Sequence, residues 1–202
     1  MTTIRLADAD DAAQVAAIYA PYVHAAATSF EIDAPGAEEM RERILRTLSR
    51  VPWLVCARDA EVLGYAYAGK HRDRAAYQWS VDVSVYVDAR AQRRGVGRAL
   101  YTSLLRLLVV QGYYNAYAGI TLPNPSSVGL HEALGFQPVG IYREVGHKLG
   151  AWHDVGWWSL RLQALTSDPP PPSDPSAVRG SEAWKAALVA GVPLLRIDPP
   201  HG

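Results

Sequence analysis

Hydrophobic and polar positions change period several times along the chain, and each change marks an element. The clearest signal is residues 79–87, where Trp79, Val81, Val83, Val85 and Val87 alternate with Ser80, Asp82, Ser84 and Tyr86. That period of two predicts a strand with one buried face. Upstream, residues 3–6 predict a short strand. Asp8 then offers an N-cap to a helix over about 9–24, with Val15, Ile18, Tyr19 and Tyr22 on one face. Asp33 and Pro35 mark a second helix start, with Met40, Ile44 and Leu48 recurring every four residues. Residues 53–69 predict two strands joined by a turn at Asp59–Ala60.

Beyond the alternating strand, Val96, Leu100, Leu104 and Leu107/Leu108 form a helical stripe that stops at Gln111–Gly112. A strand over 114–121, a short helix over 126–134 ended by Gly135, and strands over 137–147 and 154–162 complete the pattern. A strand–helix–strand unit requires parallel pairing and a meander requires antiparallel pairing. The predicted fold class is therefore α/β, a mixed and mostly antiparallel central sheet flanked by helices. Residues 167–176, "SDPPPPSDPS", cannot join that sheet and predict a stiff, extended linker. "SEAWKAALVAG" after it predicts a short capped helix. The expected division is a domain over 1–166 and a proline-rich extension over 167–202, a loosely attached tail rather than a partner-clasping arm.

Composition narrows the functions. The 202 residues are 49% hydrophobic and 20% charged, the balance of a soluble domain with a proper core. Twenty Lys+Arg match twenty Asp+Glu, so the basic excess of a nucleic-acid binder is lacking. The single cysteine, Cys56, and an amino terminus without an apolar signal core predict a cytoplasmic protein. No apolar run is long enough to predict a membrane span.

One stretch opposes the usual charge preference. "DARAQRRGVGRALY" (88–101) puts Arg90, Arg93, Arg94 and Arg98 where a helix amino end favours carboxylates. No acidic residue separates Asp88 from Glu132, so no local counter-charge is expected. Gly95 and Gly97 would let a ligand approach the backbone, whose first-turn amides lack partners. Guanidinium forks beside such amides suit a pyrophosphate; the bland alternative is a solvated basic helix end. The chain lacks the Gly-Lys-Ser/Thr ending of ATP-type loops. It also has Leu100 where the dinucleotide fingerprint needs a third glycine.

"VYVDARAQRRGVGRALYTSLL", followed by "LPNPSSVGLHEALGF", resembles the acetyl-CoA-binding core of the GCN5-related N-acetyltransferases (GNAT). With "PWLVCARDAEVLGYAYAG", "AYQW" and "GAWHDVGWW", the match over about 3–163 is similar to the phosphinothricin and amino-acid N-acetyltransferase subfamily. The resemblance implies two splayed strands that hold the pantetheine arm of acetyl-CoA on backbone groups of Val85, Tyr86 and Val87. It implies a pyrophosphate site over Arg93, Arg94, Gly95, Val96, Gly97 and Arg98. Asn124 and Ser127 would approach the cofactor from the second strand–helix unit. The missing counter-charge is then the cofactor.

Amine acetylation needs a neutral amine, an oriented thioester carbonyl and a path for the departing proton. Asp82 lies on the polar face of the strand leading into the loop. By resemblance it takes the place of a glutamate base, one methylene shorter, and is expected to work through a water; the bland alternative is a hydrogen-bonded sheet carboxylate. His131 in "LHEALGF" is the second catalytic candidate, against a packed core histidine. Tyr117 is one of eleven tyrosines able to protonate the leaving thiolate.

The loop "GKHRDRAAYQW" suits the carboxylate of an amino-acid-like acceptor. By resemblance Arg72, Arg74 and Tyr77 hold that acceptor and Phe30 walls it. His153 and Asp154 adjoin in a strand and so face opposite ways, with no third ligand, which predicts no metal. The aromatic cluster around Trp152, Trp157 and Trp158 is expected in the core or in a homodimer contact. The expected function is acetyl-CoA-dependent N-acetylation of a small acceptor such as phosphinothricin or methionine sulfone/sulfoximine. The alternatives are a peptide or protein N-terminal acetyltransferase and a non-catalytic acetyl-CoA sensor.

Overall fold

The periodicities become seven strands and six α-helices among residues 1–197, the portion described by a computed structural model of the chain. Chain order begins β1 (Thr2–Leu6), α1 (Ala12–His24), α2 (Ala37–Leu48), β2 (Trp53–Arg58), β3 (Glu61–Lys70) and β4 (Ser80–Val87). It continues α3 (Val96–Gln111), β5 (Asn115–Leu122), α4 (Pro125–Ala133), β6 (Gln137–Lys148) and β7 (Ala151–Arg161). Two short helices, α5 (Pro175–Val178) and α6 (Glu182–Val189), close the described chain. The strands form one sheet in the order β1-β2-β3-β4-β5-β7-β6, in which only β4 and β5 run parallel. The mixed, mostly antiparallel α/β fold is as the sequence predicts.

Strand alternation sorts the core onto two faces. Val81 and Val83 are buried with Leu100, Leu104, Leu107 and Leu108 of α3. On the opposite face Trp53, Val55 and Tyr65 pack with Val15, Ile18 and Tyr19 of α1 and Met40 and Ile44 of α2. Asp8 caps the first helical segment through a reciprocal box with Asp11, but a 3-10 turn over Ala9–Asp11 precedes α1.

β7 begins three residues before the expected 154. Leu149 and Gly150 adopt left-handed φ values of 51° and 77°. A two-residue turn of that hand matches the twist of paired strands and carries pairing to its very end. Ala151 to His153 therefore face Lys148 to Gly146 as ladder residues.

The extension is not a loose tail. Trp184 and Ala187 of α6 are buried in the core cluster around α3. The Gly191 amide donates to Oγ of fully buried Ser103 at 3.0 Å. Trp79 Nε1 donates to the Pro170 carbonyl at 2.8 Å, and Ser173 N to the Gln111 carbonyl at 2.7 Å. The Arg196 amide donates to the Arg94 carbonyl at 2.9 Å, bringing the segment to the amino end of α3. The proline run does stay outside the sheet. The linker's composition hid this docking, because its contacts are hydrogen bonds to Trp79 and Gln111, while Gly191 closes on the small residues Ala99 and Ser103 of α3. Residues 198–202 of the expected extension lie outside the described residues.

Candidate active site

β4 and β5 pair only from Ser80–Asp82 to Asn115–Tyr117, then part. The cleft between them is lined by Val83 to Tyr86 on one side and Ala118 to Thr121 on the other. Parting leaves backbone groups of β4 and β5 without a neighbouring strand, an open invitation to an extended ligand. The cleft runs into a cavity of about 550 Å³ at the amino end of α3, lined by Val85, Val87, Arg93, Gly95, Val96, Gly97, Arg98, Asn124 and Ser127. Tyr22 reaches across from α1, its hydroxyl donating to the Val87 carbonyl at 2.7 Å.

Local geometry explains the arginine-rich turn. Arg93 (φ 60°) and Gly95 (φ 81°) are both left-handed. Such residues alternating with right-handed ones turn successive amides into one concavity that suits an anion. A Cβ at Gly95 would overlap the Leu194 carbonyl oxygen, so glycine is required there by backbone hand and by space. Arg93 and Arg98 line the cavity and form no ion pair among the described residues. Two expectations need correction. Arg90 does have counter-charges: its Nη2 is 2.9 Å from Asp88 and 3.1 Å from Glu61, a residue of β3 distant in sequence. Arg94 lines a separate depression with Arg58, Glu61, Asp88 and Ile197, apart from the cavity.

Asn124 is the N-cap of α4, its Oδ1 accepting from the Ser127 amide at 3.1 Å. This holds both residues against the cavity. His131, one turn on, is buried (3% exposed) beneath the cleft. Its Nδ1 lies 2.7 Å from the Ser127 carbonyl and its Nε2 3.1 Å from the Tyr101 hydroxyl. Burial pushes its pKa down, so the imidazole is favoured neutral. Tyr101, which the sequence reading did not single out, lines the same cleft.

Asp82 stands where β4 and β5 part, paired with Tyr117 on one side and Gly69 on the other. Burial holds its carboxyl above the usual carboxylate range, although His71 and Arg72 pull it back. His71 Nδ1 is 2.6 Å from Asp82 Oδ1. The imidazole stacks on Tyr117 at 4.3 Å between centroids and meets the ring of Tyr77 edge-on. Arg72 lies over Trp157, 5.8 Å from the ring centre.

The structure thus gathers Asp82, Arg72, Tyr77 and Tyr117 into one group. Arg74 joins it only through its carbonyl, which accepts from the Tyr77 amide at 3.0 Å, and Phe30 packs elsewhere. Arg74 is the exposed N-cap of a 3-10 turn over Ala75–Tyr77, and Phe30 lies against Gly146 and His153 of the β6–β7 hairpin. His71 and Trp157 were missed. The available signal for His71 was register: two residues after Gly69, it emerges on the Asp82 face. His153 donates to, or accepts through, no metal-like cluster. Its Nε2 is 2.9 Å from the Lys148 carbonyl, and Asp154 is tied to Arg143 and the Glu144 amide. Among the described residues no three His, Cys, Asp or Glu side chains converge as a metal site.

Residues 4–157 match the model of the acetyltransferase (GNAT) domain family. A phosphinothricin N-acetyltransferase of Streptomyces viridochromogenes is 42% identical over 168 residues, 83% of this chain and 91% of that one. An L-methionine sulfoximine/L-methionine sulfone acetyltransferase of Salmonella typhimurium is 34% identical, covering 79% and 94% of the two chains. Among solved structures, a phosphinothricin acetyltransferase of Sinorhizobium meliloti in complex with acetyl-CoA superimposes with a TM-score of 0.81. It is 31% identical and covers 89% of this chain and 99% of that one.

Proposed function

The chain belongs to the acetyltransferase (GNAT) family, and on that premise we propose that it transfers acetyl from acetyl-CoA to the amine of a small amino-acid-like acceptor. Phosphinothricin, methionine sulfoximine and methionine sulfone are the acceptors favoured by its relatives. One observation carries the reading: the strands part directly above the Asp82–Tyr117 pair, and the opening ends at the Arg93–Gly95 turn. An extended cofactor with its diphosphate on that turn would bring its thioester to Asp82.

In this reading the amides and guanidinium groups of Arg93, Gly95, Val96, Gly97 and Arg98 hold the diphosphate, and Arg94 adds its charge from the far side. Backbone groups of Val85, Tyr86 and Val87 pair with the pantetheine arm, helped by Asn124 and Ser127. The thioester supplies an activated acyl carbon, so the transfer uses no metal. Asp82 manages the amine proton. His131, its Nδ1 donating to the Ser127 carbonyl, accepts from the Tyr101 hydroxyl through Nε2 and so fixes that side chain in the cleft beside the acyl group. Arg72 takes the acceptor carboxylate and Tyr77 walls it; Arg74, at the start of the neighbouring 3-10 turn, and Phe30, on the β6–β7 hairpin, would close on the acceptor from outside that group.

The catalytic domain is taken as 1–166, with 167–202 as an extension built onto it. The protein is read as a cytoplasmic homodimer that binds neither nucleic acid nor membrane. The dimer reading rests on exposed Val139, Ile141, Val145, Leu149 and Trp152 along β6 and β7. No described helix is long and apolar enough to cross a membrane.

Thiol release from acetyl-CoA, measured with free amino-acid analogues and with short peptides, tests the function. The expected result is one thiol per acetylated free acceptor. Preference for peptides would move the assignment to an N-terminal acetyltransferase. Acetyl-CoA binding without acceptor-dependent thiol would make the protein a sensor.

A further inference from the structure

The loop between β3 and β4 contributes an imidazole that the proposed reaction has not yet used. The last pair of that ladder is Lys70 with Val81, and His71 follows it. Gly69, opposite Asp82, has no side chain, and the space a Cβ would occupy is open. His71, two residues on and on the same face, places Nδ1 2.6 Å from Asp82 Oδ1.

The ring is held on every side. Tyr117 of β5 stacks on it, with 16° between planes, while Tyr77 and Trp157 present edges at 5.9 and 6.3 Å. The His71 side chain is only 12% exposed, whereas that of Asp82 is 35% exposed. Arg72 Nη1 donates to the His71 carbonyl at 2.8 Å, fixing the backbone that carries the ring. Nδ1 faces Asp82, and Nε2 has no hydrogen-bond partner among the described residues. Asp82, Tyr117, Tyr77 and Arg72 are the titratable or charged groups that face the ring. Ser84 and Gly119, two residues along β4 and β5 from Asp82 and Tyr117, already line the cleft. The dyad therefore lies roughly 7 Å, one strand repeat, from the splayed opening.

We propose that His71 Nε2, held in orientation by Asp82, is the atom that removes the proton from the acceptor amine. The inference rests on the acetyltransferase reading and moves the accepting atom from the carboxylate to the imidazole. A carboxylate that grips one ring nitrogen fixes the tautomer, leaves the other nitrogen a lone pair, and stabilises the imidazolium that forms.

In the proposed step the acceptor ammonium gives one proton to Nε2, which passes it to solvent. The amine nitrogen then bonds to the thioester carbon. As the C–S bond breaks, its electron pair leaves with sulfur. The second amine proton goes to Nε2 and from there to the thiolate, so an amide and a free thiol are the products.

The test compares wild type with His71→Gly and His71→Gln, measuring kcat and KM for the acceptor across pH, with acetyl-CoA affinity by calorimetry. The expected result for both variants is a fall in kcat of about 100-fold or more, with acetyl-CoA affinity within about threefold of wild type. The deficit should shrink as pH rises and solution base deprotonates the amine. Added imidazole should restore turnover in His71→Gly, an effect that a structural role would not produce. The proposal is overturned if either variant that retains acetyl-CoA binding keeps kcat within about threefold of wild type, or changes KM alone. It is equally overturned if kcat falls with no response to pH or imidazole. Loss of acetyl-CoA binding in both variants would make His71 structural and also overturn it. A wild type without acceptor-dependent thiol release would instead sink the parent reading, whatever the variants do.

Discussion

At the scale of single residues, Asp82 carries a stability cost tied to its ionisation. The native carboxyl holds its proton to higher pH than the unfolded one, because burial penalises the charge more than His71 and Arg72 favour it. The native state therefore binds the extra proton in that interval, and stability falls as pH rises from the unfolded value through the folded one. Asp82→Asn removes that penalty and keeps an acceptor for His71. Thermal melts should show a higher Tm for the variant at neutral pH, with the gain diminishing toward about pH 4 as the wild-type carboxyl protonates. Turnover should drop by about 100-fold or more in the same protein. A Tm difference that is constant with pH would deny the link between burial and ionisation. Cys56 shows the other fate of a buried ionisable group: its thiol is pushed up to about 12 by burial alone, which keeps it inert as a nucleophile.

At the scale of elements, the fold depends on where separate segments are pinned to one another. Lys148, last in β6, is buried (6% exposed) and donates through Nζ to the Val23 carbonyl at 2.5 Å and the Ser29 carbonyl at 2.6 Å. It thereby ties the hairpin to the turn after α1, which carries Thr28 into the cleft and Phe30 onto the hairpin. Lys148→Met leaves two buried carbonyls without that donor. Chemical denaturation should show a loss of roughly 1–3 kcal/mol, with KM rising more than kcat falls. The helices and strands themselves were largely legible, because periods of 3.6 and 2 report local burial. Lys148 was not, since a lysine in a strand pattern ordinarily reads as solvated surface.

At the scale of the whole molecule, the extension acts as a strap over α3. It begins beside Trp79, buries Trp184 against the core, and ends with Arg196 bonded to the Arg94 carbonyl and Leu194 against Gly95. Packing and the geometry of the Arg93–Gly95 turn are therefore coupled through one segment. Trp184→Ala should lower stability by about 3–5 kcal/mol in equilibrium unfolding. It should also weaken acetyl-CoA binding measured under conditions where the variant remains folded. Undiminished affinity would mean that the loop holds its left-handed turns without the strap.

What the sequence by itself determined is whatever depends on near neighbours along the chain. That includes the alternation that makes β4, the stripe that makes α3, the N-caps at Asp8 and Asn124, and the glycine-spaced arginines before α3. Tertiary structure alone decided which charges remain unpaired and which side chains meet Asp82. Arg90 pairs with Glu61 of β3 as well as with Asp88, and Arg94 lines a separate depression. His71 meets Asp82 because an antiparallel register folds them together over a glycine. Electrostatic and hydrogen-bonding partners act through space over a few ångströms, whereas a sequence pattern records distance only along the chain.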